Sequence, residues 1–270
     1  MSNTARLTFL GTGSSGGVPR VGNDWGVCDP SEHRNRRRRC SVLIDLGNLA
    51  APDTCTRVLI DSAPDLREQL LDARVSHLDG LVYSHDHADQ SHGIDDVRAL
   101  ALRMGRQIPT YMDAATASTL TSRFEYCFQG KGGYPPILDL NPLIEPEQPF
   151  SVTGEGGALK LLPVKQYHGR IISLGFRVGE LAYCNDLHDL PDESFDQLSG
   201  TNVLIVDALR YKPHPSHAHL ERALDWIERI QPQKAFLTNL HIDMDYQTLC
   251  RELPDHVRPA YDGLCIDFTA

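Results

Sequence analysis

Gly80-Leu81-Val82-Tyr83 runs directly into Ser84-His85-Asp86-His87-Ala88-Asp89-Gln90. The first four residues are a short apolar run of strand length and read as a buried strand. In an extended segment residues two apart point the same way, so His85 and His87 project together and Asp89 extends the row. Two imidazoles and a carboxylate on a strand-end loop are ligand types for zinc, manganese or iron. The plainer reading is a polar surface loop with chance histidines. Three matching ligand types this close together, directly after an apolar strand, weigh against it.

Short β-rich runs recur on both sides of this stretch, at 7–10, 41–46, 57–60, 159–164, 171–177, 181–184, 203–206 and 235–238, besides 80–83 itself. Helical patterns fall at 65–73, 94–104, 114–128, 218–230 and 246–253. Asp65 after Pro64, and Ser216 ahead of the fourth of these, supply helix-start chemistry. The first half gives strands, a helix, a strand and two helices. A strand-rich stretch follows, then a helix, a strand and a helix. This order suits an α+β, four-layer αββα sandwich of two similar halves, whereas a doubly wound parallel sheet would alternate strand and helix more strictly.

At 270 residues and 41% hydrophobic content the chain has enough apolar surface for a substantial core. It shows no linker, no low-complexity tract and no repeat with a period of roughly 20–50 residues, so residues 1–270 are read as a single domain. The net charge of -10 argues against a general binder of nucleic acid, whose affinity comes mainly from phosphate neutralisation. Arg36-Arg37-Arg38-Arg39 is a local exception, read first as a solvated turn and second as an anion-attracting patch. Seven widely spaced cysteines without a CxxC pair suggest neither a disulfide framework nor a cysteine zinc site. Free thiols fit a reducing compartment. The N-terminal MSNTARLTFLGTG lacks the pattern of a secretion signal. No run approaches the roughly 20 apolar residues of a membrane helix, and the expected location is cytoplasmic.

These motifs resemble those of the metallo-β-lactamase superfamily, whose signature is His-x-His-x-Asp-His, and the resemblance runs over nearly the whole chain. Leu10-Gly11-Thr12-Gly13-Ser14-Ser15-Gly16-Gly17-Val18-Pro19 is similar to the glycine-rich turn of one branch. That branch includes the phosphodiesterase of the carbon–phosphorus lyase pathway and is related to the tRNA 3′-processing endonuclease. Ile60-Asp61 resembles the first superfamily motif, an aspartate behind the metals. Tyr167-His168-Gly169 resembles the third, a lone histidine after a strand. Tyr183-Cys184-Asn185-Asp186 resembles the fourth, an aspartate that bridges two metals.

The resemblance implies the metallo-β-lactamase sandwich and two divalent ions. Two metals about 3.5–4 Å apart hold a hydroxide between them and clamp the oxygens of a displaced phosphate. Site one takes His85, His87, His168 and Asp186. The family has histidine where this chain has Gln90, and Thr-His where it has Thr238-Asn239. The nearest replacement is His241, so site two is read as Asp89, Asp186 and His241, with Gln90 beside it. An oxygen-richer second site favours manganese, with zinc as the other option. The branch's phosphodiesterase carries several cysteines around 25–30 for a structural zinc. This chain keeps only Cys28, and no structural zinc is expected.

Arg210-Tyr211-Lys212-Pro213-His214-Pro215-Ser216-His217-Ala218-His219-Leu220 holds three histidines just before a helix. They read plainly as part of a polar turn. In the related branch a histidine at the position of His217 protonates the leaving oxygen, a task that suits a pKa near the working pH. The resemblance therefore implies His217 as general acid, with Asp61 and Asp89 counted among the catalytic carboxylates. It implies a small phosphodiester as substrate, such as a cyclic nucleotide or a sugar phosphate. The long arm that captures tRNA is not apparent, so no large nucleic acid is expected as partner, and no membrane. Oligomeric state, homodimer included, is left open. Arg170 and the Arg36–Arg39 run are arginines suited to phosphate contact, surface solvation being the equal alternative. Two rival readings remain within the fold: a mononuclear iron dioxygenase, and a non-catalytic metal-binding member serving cofactor biosynthesis. A flavodiiron oxidoreductase fits less well, since its motif has Glu where His87 stands.

Overall fold

Alternation of buried side chains, Ala5, Leu7 and Phe9 in Thr4–Gly11 (β1), is the period-two signature of a strand with one face on a core. A computed structural model of the protein describes residues 4–270. Ser41–Leu46 (β2), Thr56–Ile60 (β3), Gly80–Val82 (β4), Ile108–Tyr111 (β5) and Leu138–Leu140 (β6) join β1 in one sheet. Phe150–Gly154 (β7), Gly157–His168 (β8), Ile171–Val178 (β9), Leu181–Cys184 (β10), Val203–Asp207 (β11), Lys234–Thr238 (β12) and Val257–Pro259 (β13) form the other. Cys265–Thr269 (β14) returns to the first sheet and pairs with β1, giving the order β14-β1-β2-β3-β4-β5-β6. The second sheet runs β13-β12-β11-β10-β9-β8-β7.

Each sheet is antiparallel on one side of a pivot strand and parallel on the other. The pivot is β3 in the first sheet and β10 in the second. Leu7, Ile44, Val58 and Val82 of the first sheet pack against Leu161, Leu174, Phe176 and Ile205 of the second. The outer face of the first sheet is covered by helices Leu66–Asp72 (α1), Arg98–Met104 (α3), Ala114–Arg123 (α4) and Glu125–Gln129 (α5), through Leu66, Leu100, Leu120 and Cys127. A short helix, Ala88–Ser91 (α2), follows the histidine motif. Asp192–Leu198 (α6), Leu220–Ile230 (α7) and Tyr246–Glu252 (α8) cover the second sheet through Phe195, Trp226, Ile227 and Leu249. The result is the expected α+β, four-layer αββα sandwich.

Local departures have local causes. The helix expected at 114–128 breaks at Phe124, which stands at φ -122°, ψ 39° between α4 and α5. The one expected at 94–104 opens with a 3-10 turn, Ile94–Val97. The helix expected from 218 begins at Leu220 with His219 at its N-cap, which frees Ser216 for another task. No helix among the described residues is long and apolar enough to cross a membrane.

The arginine run is mostly not a solvated turn. Arg37 is 2% exposed. Its Nη2 donates to the Met244 carbonyl at 2.8 Å and to Asn35 Oδ1 at 3.2 Å, and its Nη1 to the His241 carbonyl at 3.4 Å. Arg38 pairs with Asp72 and Arg39 with Asp65. Only Arg36 remains exposed. The glycine-rich turn explains the neighbouring register. Gly13 N–H donates to the Arg38 carbonyl at 2.8 Å, and Leu240 N–H to the Thr12 carbonyl at 2.9 Å. A Cβ on Gly11 would lie 2.0 Å from the Arg39 carbonyl oxygen, so only glycine lets the segments approach.

Candidate metal centre and active site

Strand ends deliver the site. In the first half Asp61 follows β3, and the Ser84–His87 loop follows β4, with Asp89 in the first turn of α2. In the second half β8 ends at His168 and β11 at Asp207, while Asp186 follows β10 and Asn239 follows β12. Asp61, Asp186 and Asn239 have φ of 64°, 53° and 61°. Aspartate and asparagine tolerate this left-handed region better than most residues, and such backbone clusters at functional sites.

His85, His87 and His168 meet edge to face. Their ring centroids lie 4.6 Å (His85–His87), 5.1 Å (His85–His168) and 4.9 Å (His87–His168) apart. One nitrogen from each falls in a cluster compact enough to hold a metal ion. Hydrogen bonds fix two of the tautomers. The Ser84 hydroxyl has one proton and gives it to Asp61 Oδ2 at 2.7 Å, so at 3.0 Å it accepts from His85 Nδ1–H. His168 Nδ1–H donates to the Ser216 carbonyl at 2.6 Å, the task that Ser216 performs in place of a helix cap. His85 Nε2 and His168 Nε2 are thereby the nitrogens that carry the lone pairs. His85 Nε2 is buried without a partner, and His168 Nε2 lies 3.2 Å from His87 Nδ1. Burial, with the neighbouring imidazoles, pushes His85 well below the ordinary histidine range and His168 down to about 3. An orphaned buried nitrogen with two further imidazoles around it fits a divalent cation.

Asp61 lies behind the histidines and is linked to His85 through Ser84. Its Oδ1 accepts the Ser84 N–H at 2.8 Å. Burial pushes the Asp61 carboxyl up to about 7 despite these bonds.

Asp186 is 1% exposed and surrounded by amides. Gln90 Nε2 and Asn185 Nδ2 each donate to its Oδ2 at 2.7 Å, and Asn239 Nδ2 donates to its Oδ1 at 2.9 Å. Asp89 lies beside this group, its Oδ2 3.4 Å from Gln90 Nε2. The ring of His217 packs 4.7 Å from that of His168, and its Nδ1 bonds Asp207 Oδ2 at 2.8 Å and faces Asp186 Oδ1 at 3.5 Å. Burial alone would depress His217, but Asp207, Asp186 and Asp89 outweigh it and hold the ring up at about 9. Burial likewise raises the carboxyls of Asp186 and Asp207, and His217 pulls both back. With Nδ1 committed to Asp207, Nε2 is the nitrogen left for the site.

Of the neighbouring histidines, His214 packs against His217 with tilted rings 5.1 Å apart and His219 stands at the N-cap of α7. His241 does not join the cluster. Its Nδ1 bonds Asp243 Oδ1 at 2.7 Å and its Nε2 meets Arg20, so both ring nitrogens are engaged outside it. Arg170 is exposed at the β8–β9 turn. Sequence reasoning missed Ser84, Asn185 and Asp207. For Asp207 a signal exists: Val203-Leu204-Ile205-Val206-Asp207 ends an apolar strand on an aspartate, as Ile60-Asp61 does.

A sequence model of the beta-lactamase superfamily domain matches residues 56–242. Among solved structures, a diphosphatase from the PhnP family is 34% identical, with a TM-score of 0.87 over 98% of this chain and 97% of that one. Zinc-bound PqqB from Methylobacterium extorquens superposes with a TM-score of 0.70 at 15% identity, over 97% of this chain and 100% of that one. The short form of human tRNase Z does so at 0.62 and 16% identity, over 97% and 98% of the two chains. These two show the shared fold. An octanoyltransferase of Porphyromonas gingivalis is 35% identical over 263 residues, or 96% of this chain, which spans about half (51%) of that relative's length. The matched domain and the 34% identity along almost two whole chains place this chain in the beta-lactamase superfamily and, within it, in the PhnP family.

Proposed function

We propose that this chain is a metal-dependent hydrolase of small phosphodiesters, with His217 as the general acid. The observation that carries the reading is the His217–Asp207 pair, whose ring packs 4.7 Å from that of His168, one of the three clustered imidazoles. His85, His87 and His168 would hold the ion. A divalent ion there supplies Lewis acidity, which lowers the pKa of water and stabilises charge on phosphoryl oxygen.

The chain's own groups do the rest. Asp61, through Ser84, orients His85 and keeps its Nε2 deprotonated. Asp207 fixes the tautomer and orientation of His217 and keeps it protonated near neutrality. His217 Nε2–H then passes its proton to the departing oxygen, so the product leaves as a neutral alcohol. Asp89, at the open side of the cluster, accepts hydrogen bonds from the attacking water and orients it. The 34% identical relative is a diphosphatase, so phosphoanhydrides belong beside cyclic nucleotides among the substrates to screen.

The test is His217→Ala on two esters. An alkyl leaving group needs the proton and should lose on the order of 10²–10⁴-fold in kcat, whereas p-nitrophenolate departs unaided and should lose much less. Metal content should not change. Equal losses on both esters would show that His217 positions phosphate instead. Iron near one per chain with no hydrolysis of any phosphoester would overturn the reading in favour of oxygen chemistry.

A further inference from the structure

We propose that this chain holds one divalent ion, at His85, His87 and His168, and that the neighbouring position is closed to a second by the side-chain amides of Gln90 and Asn239. The proposal rests on the metal-dependent reading above and replaces the expectation of two ions. An ionised carboxylate offers about four lone-pair positions. On Asp186 three are taken by the amide nitrogens of Gln90, Asn185 and Asn239 at 2.7–2.9 Å, and His217 Nδ1 faces the fourth at 3.5 Å. Asp186 is near enough to His168 and His217 to be a ligand in distance, but three of its four acceptor positions are spent.

The Gln90 amide nitrogen also stands between two carboxylates, 2.7 Å from Asp186 and 3.4 Å from Asp89. That is where a cation bridging them would sit. An amide nitrogen has hydrogens to give and no lone pair for a metal. Gln90 is 1% exposed and its Oε1 is buried without a partner, so the carboxylates alone set which way the amide faces. Turning it over would put oxygen against oxygen unless a cation stood between them. Asn239 repeats the arrangement on the other side, its Nδ2 shared between Asp186 at 2.9 Å and Asp207 at 3.2 Å. Amide N–H groups thus occupy the carboxylate oxygens that a second cation would otherwise bind. His241, the imidazole nearest in sequence, is held elsewhere by Asp243 and Arg20.

Metal-stripped protein is titrated with Zn²⁺ and Co²⁺, desalted, and its metal counted by elemental analysis, with visible absorption following the cobalt. The His85→Ala variant sets the background from thiols. One ion per chain above that background is expected, with absorption saturating at one equivalent. The double variant Gln90→His, Asn239→His should take two. Two ions in the wild type would overturn the proposal and leave the metal-dependent reading standing. None in the wild type would overturn both. A folded double variant that stays at one would overturn the role given to the amides. Should the double variant not fold, Gln90→Glu decides: an acceptor of the same size between Asp89 and Asp186 should raise the count to two, and an unchanged count would count against the proposal.

Discussion

Replacing Asp207 with asparagine keeps the side chain's shape and removes its charge, which isolates what that charge does for His217. The ring sits at about 9 against an ordinary 6.5. That gap corresponds to about 3 kcal/mol of preference for the imidazolium. Among the carboxylates responsible Asp207 ranks first, and at 2.8 Å it is also the nearest. Asp207→Asn should therefore move the alkaline limb of kcat for an alkyl ester toward acid by about one pH unit or more. At about pH 8 the smaller protonated fraction alone should cost that ester about twofold for a one-unit shift and about 30-fold for a full return to 6.5, and a p-nitrophenyl ester far less. Stability should respond with the same sign. A histidine whose folded pKa is raised contributes fully below about 6.5 and loses that contribution as pH rises through about 9. The variant should show a flatter decline across that window. Rate profiles between about pH 6 and pH 10, with denaturant unfolding at both ends, measure both effects. An alkaline limb that stays in place while both esters slow equally would refute the assignment of Asp207 as the residue that holds the acid protonated.

Other expectations are narrower. Ser84→Ala cuts the link from Asp61 to His85 and should weaken metal affinity about tenfold in a chelator competition, as loss of a supporting hydrogen bond does; unchanged affinity would show that packing alone orients the ring. Arg37→Met leaves the Met244 carbonyl without its buried donor and takes from Asn35 Oδ1 one of its two, the Tyr246 N–H remaining, and should cost about 2–4 kcal/mol in urea unfolding. A cost below about 0.5 kcal/mol would place that arginine among ordinary surface residues after all.

The histidine motif, Asp61, His168 and Asp186 were legible because each ends or follows an apolar strand whose pattern is local. The strands that the sequence hides are those whose character comes from a partner. β5 contains Pro109, β6 and β13 are three-residue edge strands, and β14 reads as a strand only once β1 lies beside it, Thr4 opposite Thr269. The arginine run misled because four adjacent charges look solvated, whereas the fold needs donors for carbonyls some 200 residues away. His241 misled because proximity along the chain to Asn239 says nothing about which way the ring turns. What the sequence left undecided at Gln90 and Asn239 was hydrogen-bond direction, and that becomes visible only with Asp186 in place.

His85 and His87 hang from the first sheet and His168 from the second. Anything gripped by all three is gripped by both leaves of the sandwich at once, across an interface held mainly by apolar packing with a few hydrogen bonds, such as Leu174 N–H to the Ser84 carbonyl at 3.0 Å. Occupancy then becomes a mechanical property. A filled centre resists sliding of one leaf over the other, and amide protons of β4 and the end of β8, far apart in sequence, should slow their exchange together when metal is added.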